Sequence, residues 1–67
     1  MARDTLRHIW TVVYRDPHDI TGFGVAHFHD AADAQRFATA FRAVAVREEA
    51  IPARIADRWT FTRWGQL

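Results

Sequence analysis

The side chains in this sequence that are suited to chemistry are mainly histidines, aromatic residues and arginines. The sequence has no serine, lysine, asparagine or cysteine, which excludes serine and cysteine nucleophiles, Schiff-base lysines and lysine-containing phosphate loops. His27 and His29 project to one side of a predicted strand, and His8 lies near them if the preceding strand pairs there. No carboxylate is clearly placed to join these imidazoles in a metal site, and no pocket is identifiable around His27 for a general base. We therefore predict no metal, no cofactor and no catalytic residue.

The strand that carries the two histidines has two unlike faces. Residues 21–28 read T-G-F-G-V-A-H-F, and side chains alternate between the two sides of a strand. One predicted face therefore holds large side chains and the other holds mostly small ones, which suits a covering helix. The large face comprises Phe23, Val25, His27 and His29, and the small face comprises Gly24, Ala26 and Phe28.

A helix is predicted directly after this strand. Asp30 is a suitable N-cap, and the chain then shows apolar residues at helical spacing as far as Val44. We expect the helix to run to about Val46 or Glu49, since Pro52 cannot continue it. Its core side would carry Ala34, Phe37, Ala38, Phe41 and Val44.

Two further strands complete the predicted fold. Residues 6–15 are rich in β-branched and aromatic side chains, and residues 16–19 (D-P-H-D) turn the chain into a hairpin. A last strand is expected over residues 54–64. The result is one α+β domain over residues 1–67, with ββαβ connectivity, a mainly antiparallel sheet in the order 2-1-3 and one helix on one face. The expected hairpin register places Arg15 opposite Gly22, Tyr14 opposite Phe23, Val12 opposite Val25, Trp10 opposite His27 and His8 opposite His29.

Composition restricts the class of protein. A chain of 67 residues without cysteine has no disulfides to stabilise a small core, so oligomerisation is the simplest remaining aid. It has no apolar run of about 20 residues and no signal-peptide start, so we expect a cytoplasmic protein without a membrane segment. The net charge of +1, from nine arginines against eight acids, counts against strong non-specific nucleic-acid binding.

In this predicted fold, the sheet face away from the helix has no cover. Contiguous exposed apolar patches larger than a few hundred Å² are rare on monomers, so we expect a partner to contact this face. Arg15, Phe23, Arg58 and Arg63 would make the contacts if that partner were a nucleic acid. The predicted partner-binding face comprises His8, Trp10, Val12, Tyr14, Phe23, Val25, His27, His29, Arg58 and Trp64.

Two family resemblances bear on the partner. The T-G-F-G-V-A-H-F segment resembles the signature strand of the RNA-recognition motif at Gly22, Phe23, Gly24 and Phe28, and the resemblance covers about half of that domain. It implies base stacking on the sheet face. The chain departs from the motif at Val25, where an aromatic residue is usual, and at Thr21, where a basic one is usual.

The second resemblance is to the arm-binding N-terminal domains of phage-type integrases, in which a W-x-V-x-Y-R-D-P hairpin precedes an alanine-rich helix. It implies DNA binding by the sheet face in a phage or mobile element. The scarcity of cations on the hairpin and the strand after the helix depart from that family. The matching residues are Trp10, Val12, Tyr14, Arg15, Asp16 and Pro17, followed by Phe28, Ala34 and Phe37.

Three hypotheses follow from the sequence. The first is a non-enzymatic interaction module that forms a homodimer or higher homo-oligomer, or binds a protein partner, through the uncovered face. The second is a small DNA- or RNA-binding domain that uses the same face. The third, ranked last, is a small dimeric enzyme or metal binder that uses His8, His27 and His29.

Overall fold

The protein folds as a three-stranded antiparallel sheet with a helix on one face. The computed structural model describes residues 5–59 and residue 61. The strand order β2-β1-β3 and the packed helix confirm the predicted α+β fold class. The elements are β1 (Leu6–Arg15), β2 (Phe23–Phe28), α1 (Ala31–Ala40), β3 (Ala45–Pro52) and a short α2 (Ala53–Ala56).

The hairpin between β1 and β2 is fixed by its polar loop. The Asp16 N–H donates to the Gly22 carbonyl at 2.9 Å and closes the loop. Asp19 accepts hydrogen bonds from the Thr21 N–H at 2.8 Å and its hydroxyl at 2.7 Å, and these bonds lower the pKa of the Asp19 carboxyl. Gly22 has φ +80°, a conformation that glycine adopts without steric cost.

Helix α1 begins as the sequence predicts. The Asp30 side chain accepts a hydrogen bond from the Ala32 N–H at 3.0 Å, which satisfies one of the donors left open at a helix start. In the next turn, Asp33 pairs with Arg36. The side of α1 that faces the sheet closes the main core, which consists of Val12, Ala26, Phe28, Ala34, Phe37 and Ala38.

The end of α1 differs from the prediction. The helix stops at Ala40, where the Ala43 N–H donates to the Ala38 carbonyl at 2.9 Å and the Arg42 N–H to that of Thr39 at 3.5 Å. Arg42 has φ +51°, so this is a Schellman-type end with arginine at the left-handed position usually taken by glycine. The predicted continuation to Val46 or Glu49 is wrong.

The third strand also lies elsewhere than predicted. Ala45–Pro52 forms β3 beside β1, whereas the expected strand over residues 54–64 begins in helix α2. Val44 and Val46 are β-branched and favour an extended backbone, so this segment pairs with β1 once the helix has ended. Thr60 and residues 62–67 lie outside the described residues.

The hairpin register is shifted by one residue from the prediction. Arg15 lies opposite Phe23, and Tyr14 lies opposite Gly24. A shift of one residue changes which side chains of the two strands lie on the same face of the sheet. Trp10, Val12 and Tyr14 therefore share the α1 face with Gly24, Ala26 and Phe28, where the absence of a Gly24 side chain leaves room for the Tyr14 ring.

Candidate interaction surface

The face of the sheet away from α1 is lined by alternate residues of all three strands. The observed strand pairing defines which residues line this face, because directly opposed residues of neighbouring strands project to the same side of the sheet. The set is mixed in character, with apolar, aromatic and charged side chains. Its members are Arg7, Ile9, Thr11, Val13 and Arg15 from β1, Phe23, Val25 and His27 from β2, and Ala45, Arg47, Glu49 and Ile51 from β3.

One half of this face is covered by the chain's own C-terminal segment. Ile9 points away from α1 yet is fully buried, as is Ala56 of α2. The Trp59 ring lies 4.5 Å from the His27 ring, and the Phe61 ring stacks on His29 at 3.5 Å, measured between centroids. The expectation of a wholly uncovered face is therefore wrong. Trp59 and Phe61 form this cover.

His27 lies at the border between the covered and open halves. Its Nδ1 is 3.0 Å from the Thr11 hydroxyl, directly across the strand pair. Burial lowers the pKa of His27 below its ordinary value, and the nearby Glu49 charge opposes that effect in part. The structure therefore favours a neutral imidazole at this position.

The other half of the face includes what we call the open patch, which consists of the half-buried Val13 and the exposed Arg15, Phe23 and Val25. Phe23 is 42% exposed and Val25 is 56% exposed, although both lie within a regular strand. The guanidinium carbon of Arg15 lies 6.0 Å from the centroid of the Phe23 ring, within the range of cation–π attraction. The open patch thus combines apolar area with one cation held over an aromatic ring.

The predicted partner-binding residues are divided between the two faces. Phe23, Val25 and His27 lie away from α1 as expected, and His29 is held by Phe61. Arg58 is exposed after α2. The other members lie on the α1 face or outside the described residues. Those on the α1 face are His8, Trp10, Val12 and Tyr14, and Trp64 lies outside, as does Arg63 of the predicted nucleic-acid contacts.

The three histidines considered for a metal site do not converge. His8 lies opposite Ala50 and its Nε2 is 3.7 Å from a Glu48 oxygen, on the sheet face opposite to His27. Within residues 5–59 and 61, no three histidine or acidic side chains are grouped closely enough to hold a metal ion.

Two of the depressions in the surface of the described residues are a notch and a groove. The notch, of about 590 Å³, lies where β1 extends beyond the end of β2, and an ion pair between Arg7 Nε and Asp57 Oδ1 at 3.0 Å borders it. The groove, of about 300 Å³, runs between α1 and the start of β3. Leu6, His8 and His29 also line the notch, and Gln35, Ala38, Thr39, Ala43, Val44, Ala45 and Val46 line the groove.

Comparisons with known proteins assign no function to this chain, so a function must be inferred from the geometry of the surface. The chain matches no protein-family model, and searches of curated proteins and of solved structures found no match either. The resemblances to RNA-recognition motifs and to integrase arm-binding domains stay predictions. Among the residues that the structure describes, no helix is long and apolar enough to cross a membrane.

Sequence reasoning missed two features of this surface. The first is β3, whose backbone forms an edge of the sheet, and the signal for it was the pair of β-branched residues Val44 and Val46 ahead of Pro52. The second is the cover over His27 and His29, which depends on where α2 directs Trp59 and Phe61. No local pattern in the sequence specifies that direction.

Proposed function

We propose that this protein is a non-enzymatic interaction module that binds a protein partner through the open patch. The exposure of Phe23 and Val25 carries the proposal, because the chain buries the other half of the same sheet face and leaves these two side chains in contact with solvent. Aromatic and arginine side chains are enriched in the residues that dominate binding energy. The cytoplasm is the expected compartment, on the grounds of composition.

The histidines support a binding role over a catalytic one. His27 has Thr11 and Trp59 as neighbours, and His29 is stacked on Phe61. A general base must reach a proton on a bound substrate, whereas His27 Nδ1 lies against the Thr11 hydroxyl and one face of the exposed His29 ring is stacked on Phe61. Their arrangement fits a role in holding the C-terminal segment on the sheet.

A photo-crosslinking amino acid placed at Val25 tests the proposal. The matched control carries the same group at Arg36, which is exposed on α1. We expect protein adducts from position 25 in cells that are absent from position 36, survive nuclease treatment and decrease in a Phe23→Ala background. Ile20→Ala, which removes a fully exposed apolar side chain in the hairpin loop, should leave them unchanged. Equal adducts from positions 25 and 36 would overturn the proposal.

A nucleic-acid-binding domain is the second candidate, favoured by the Arg15 guanidinium above the Phe23 ring. Bases stack on exposed aromatic side chains, and such binding weakens steeply with salt. The test is fluorescence anisotropy of labelled single-stranded oligonucleotides between about 50 and 200 mM salt. This candidate requires a salt-dependent affinity that falls for both Phe23→Ala and Arg15→Ala. Nuclease-sensitive adducts at position 25 would also support it over a protein partner.

A further inference from the structure

The outer edge of β3 is unpaired within the part of the chain that the structure describes. β1 occupies one side of β3, and no other strand among residues 5–59 and 61 pairs with its outer side. Edge strands offer a row of backbone donors and acceptors to any strand that approaches them. Every residue from Val44 to Glu48 is exposed, as is Ala50, so α1 and α2 leave this edge accessible.

The hydrogen-bond pattern shows which backbone groups point outward. The Asp16 N–H bonds to the Gly22 carbonyl on the β2 side of β1, and the Ala53 N–H bonds to the Thr5 carbonyl on the β3 side. Because the direction alternates along a strand, odd-numbered residues of β3 bond to β1. Val46, Glu48 and Ala50 therefore present their N–H and C=O groups at the outer edge.

The charges on β3 are self-complementary in one symmetric register. In an antiparallel pair related by a twofold axis, one residue lies opposite its own copy. With Glu48 at the axis, Arg47 lies opposite Glu49 of the second copy and the reverse pair forms as well. These are non-hydrogen-bonded positions, where side chains approach most closely. Axes at Val46, Arg47 or Glu49 leave Arg47 without an acid directly opposite.

In the same register, backbone hydrogen bonds also form at several positions along β3. Val46, Glu48 and Ala50 exchange backbone hydrogen bonds with Ala50, Glu48 and Val46 of the second copy. Val46, which is 46% exposed, gains the second copy's Ala50 as an apolar neighbour. The two Glu48 carboxylates meet at the axis on the α1 face, where each has a His8 ring nitrogen at 3.7 Å. Among the directly opposed residues of β3 in this register, this like-charged pair is the unfavourable one.

We propose that β3 pairs antiparallel with β3 of a second copy about Glu48, which joins three strands from each chain into one continuous sheet. The edge is separate from the open patch, so this proposal and the proposed function can fail independently. The charges also limit other pairings, because a strand without matching charges leaves Arg47 and Glu49 without partners.

Charge reversal on the full chain tests the register. Dissociation constants are measured by sedimentation equilibrium for the wild type, Arg47→Glu, Glu49→Arg and the double variant. We expect a wild-type dimer that each single reversal weakens roughly tenfold or more, since two attractive cross-strand pairs become repulsive, and that the double variant restores. Arg36→Glu makes the same charge change on the exposed side of α1, away from β3, and should leave the dissociation constant unchanged.

Two further variants alter the outer edge of β3 without reversing a charge. Ala50→Pro removes an outward N–H and blocks approach of a second strand while sparing the bonds to β1, so it should give a monomer. Glu48→Gln removes the like-charged pair and should tighten the dimer several-fold. Circular dichroism confirms that each variant is folded.

Several results would overturn the proposal. They are a monomeric wild type, a double variant no tighter than the single reversals, and a dimer that persists in Ala50→Pro. A dimer lost in Phe23→Ala but unaffected by Arg47→Glu would place self-association at the open patch instead. That result would contradict pairing through β3 and would identify a second copy of this chain as the protein that binds the open patch.

Discussion

Replacing Gly24 with alanine should destabilise the fold through a clash with one ring. Gly24 lies opposite Tyr14 in the hairpin. A Cβ atom at Gly24 would lie 2.6 Å from the Tyr14 hydroxyl oxygen and 2.8 Å from its Cε2. The ring has little room to retreat, because it packs edge-on against Phe37 at 5.2 Å and beside Phe41 at 5.8 Å.

The size of the effect follows from two opposing contributions. Forcing extra atoms into a packed site costs about 1–3 kcal/mol. Alanine restricts the unfolded chain more than glycine does, which offsets about 0.4–1 kcal/mol. The expected net loss in the free energy of unfolding of Gly24→Ala is therefore about 1–2 kcal/mol, measured by urea denaturation.

A double-mutant cycle with Tyr14→Ala separates this clash from a general intolerance of the strand. Once the ring is absent, the new methyl group no longer meets it, so Gly24→Ala should be neutral or slightly stabilising in the Tyr14→Ala background. Gly22→Ala is the control, because its cost comes from φ +80° and a Cβ at that position would have no atom within 4 Å. That cost should be the same with and without Tyr14. Equal costs of Gly24→Ala in both backgrounds would refute the observed register.

Three further predictions concern the helix and His27. Arg42→Gly should raise the melting temperature by relieving about 1 kcal/mol of left-handed strain, whereas a drop would indicate that α1 continues through this position. Asp30→Ala should cost about 1 kcal/mol in thermal denaturation by removing the acceptor for the Ala32 N–H, with Asp30→Ser largely neutral. Burial lowers the pKa of His27 below 6.5, so folding stability should be highest above pH 6.5 and decrease as the pH is lowered through the folded-state pKa. Urea titrations from about pH 8 to 5 should show a shallower decrease for His27→Gln, and an unchanged slope would contradict a neutral, partly buried ring.

Local sequence patterns correctly predicted the elements that depend mainly on nearby residues. Asp30 caps α1 as expected, and the small side chains at Gly24 and Ala26 lie under the helix. The strand order was also predictable, because β1 is apolar on both faces and belongs in the centre of the sheet. These features depend on residues close together in the chain or on the composition of one strand.

The predictions that were wrong share a physical cause. The local sequence was compatible with two conformations, and tertiary contacts determined which of them formed. Arg42 carries no sequence signal for a left-handed helix end, and residues 43–49 have alanine and glutamate that suit a helix as well as valine that suits a strand. Pairing with β1 decides the outcome for β3. The register error has a similar origin, since Gly22 permits a loop one residue longer than the expected one.

The proposed edge pairing and the open patch would act together in one assembly. A twofold axis perpendicular to the sheet places α1 of both copies on one side, so both open patches face the other side. Because β2 lies at the far edge from β3, the two Phe23 side chains would stand near opposite ends of the continuous sheet. A partner with two matching sites would then bind both patches at once and gain avidity without any new contact. In that case Ala50→Pro should weaken capture of such a partner while leaving the affinity of each single patch unchanged, and loss of the single-patch affinity would show instead that the edge itself touches the partner.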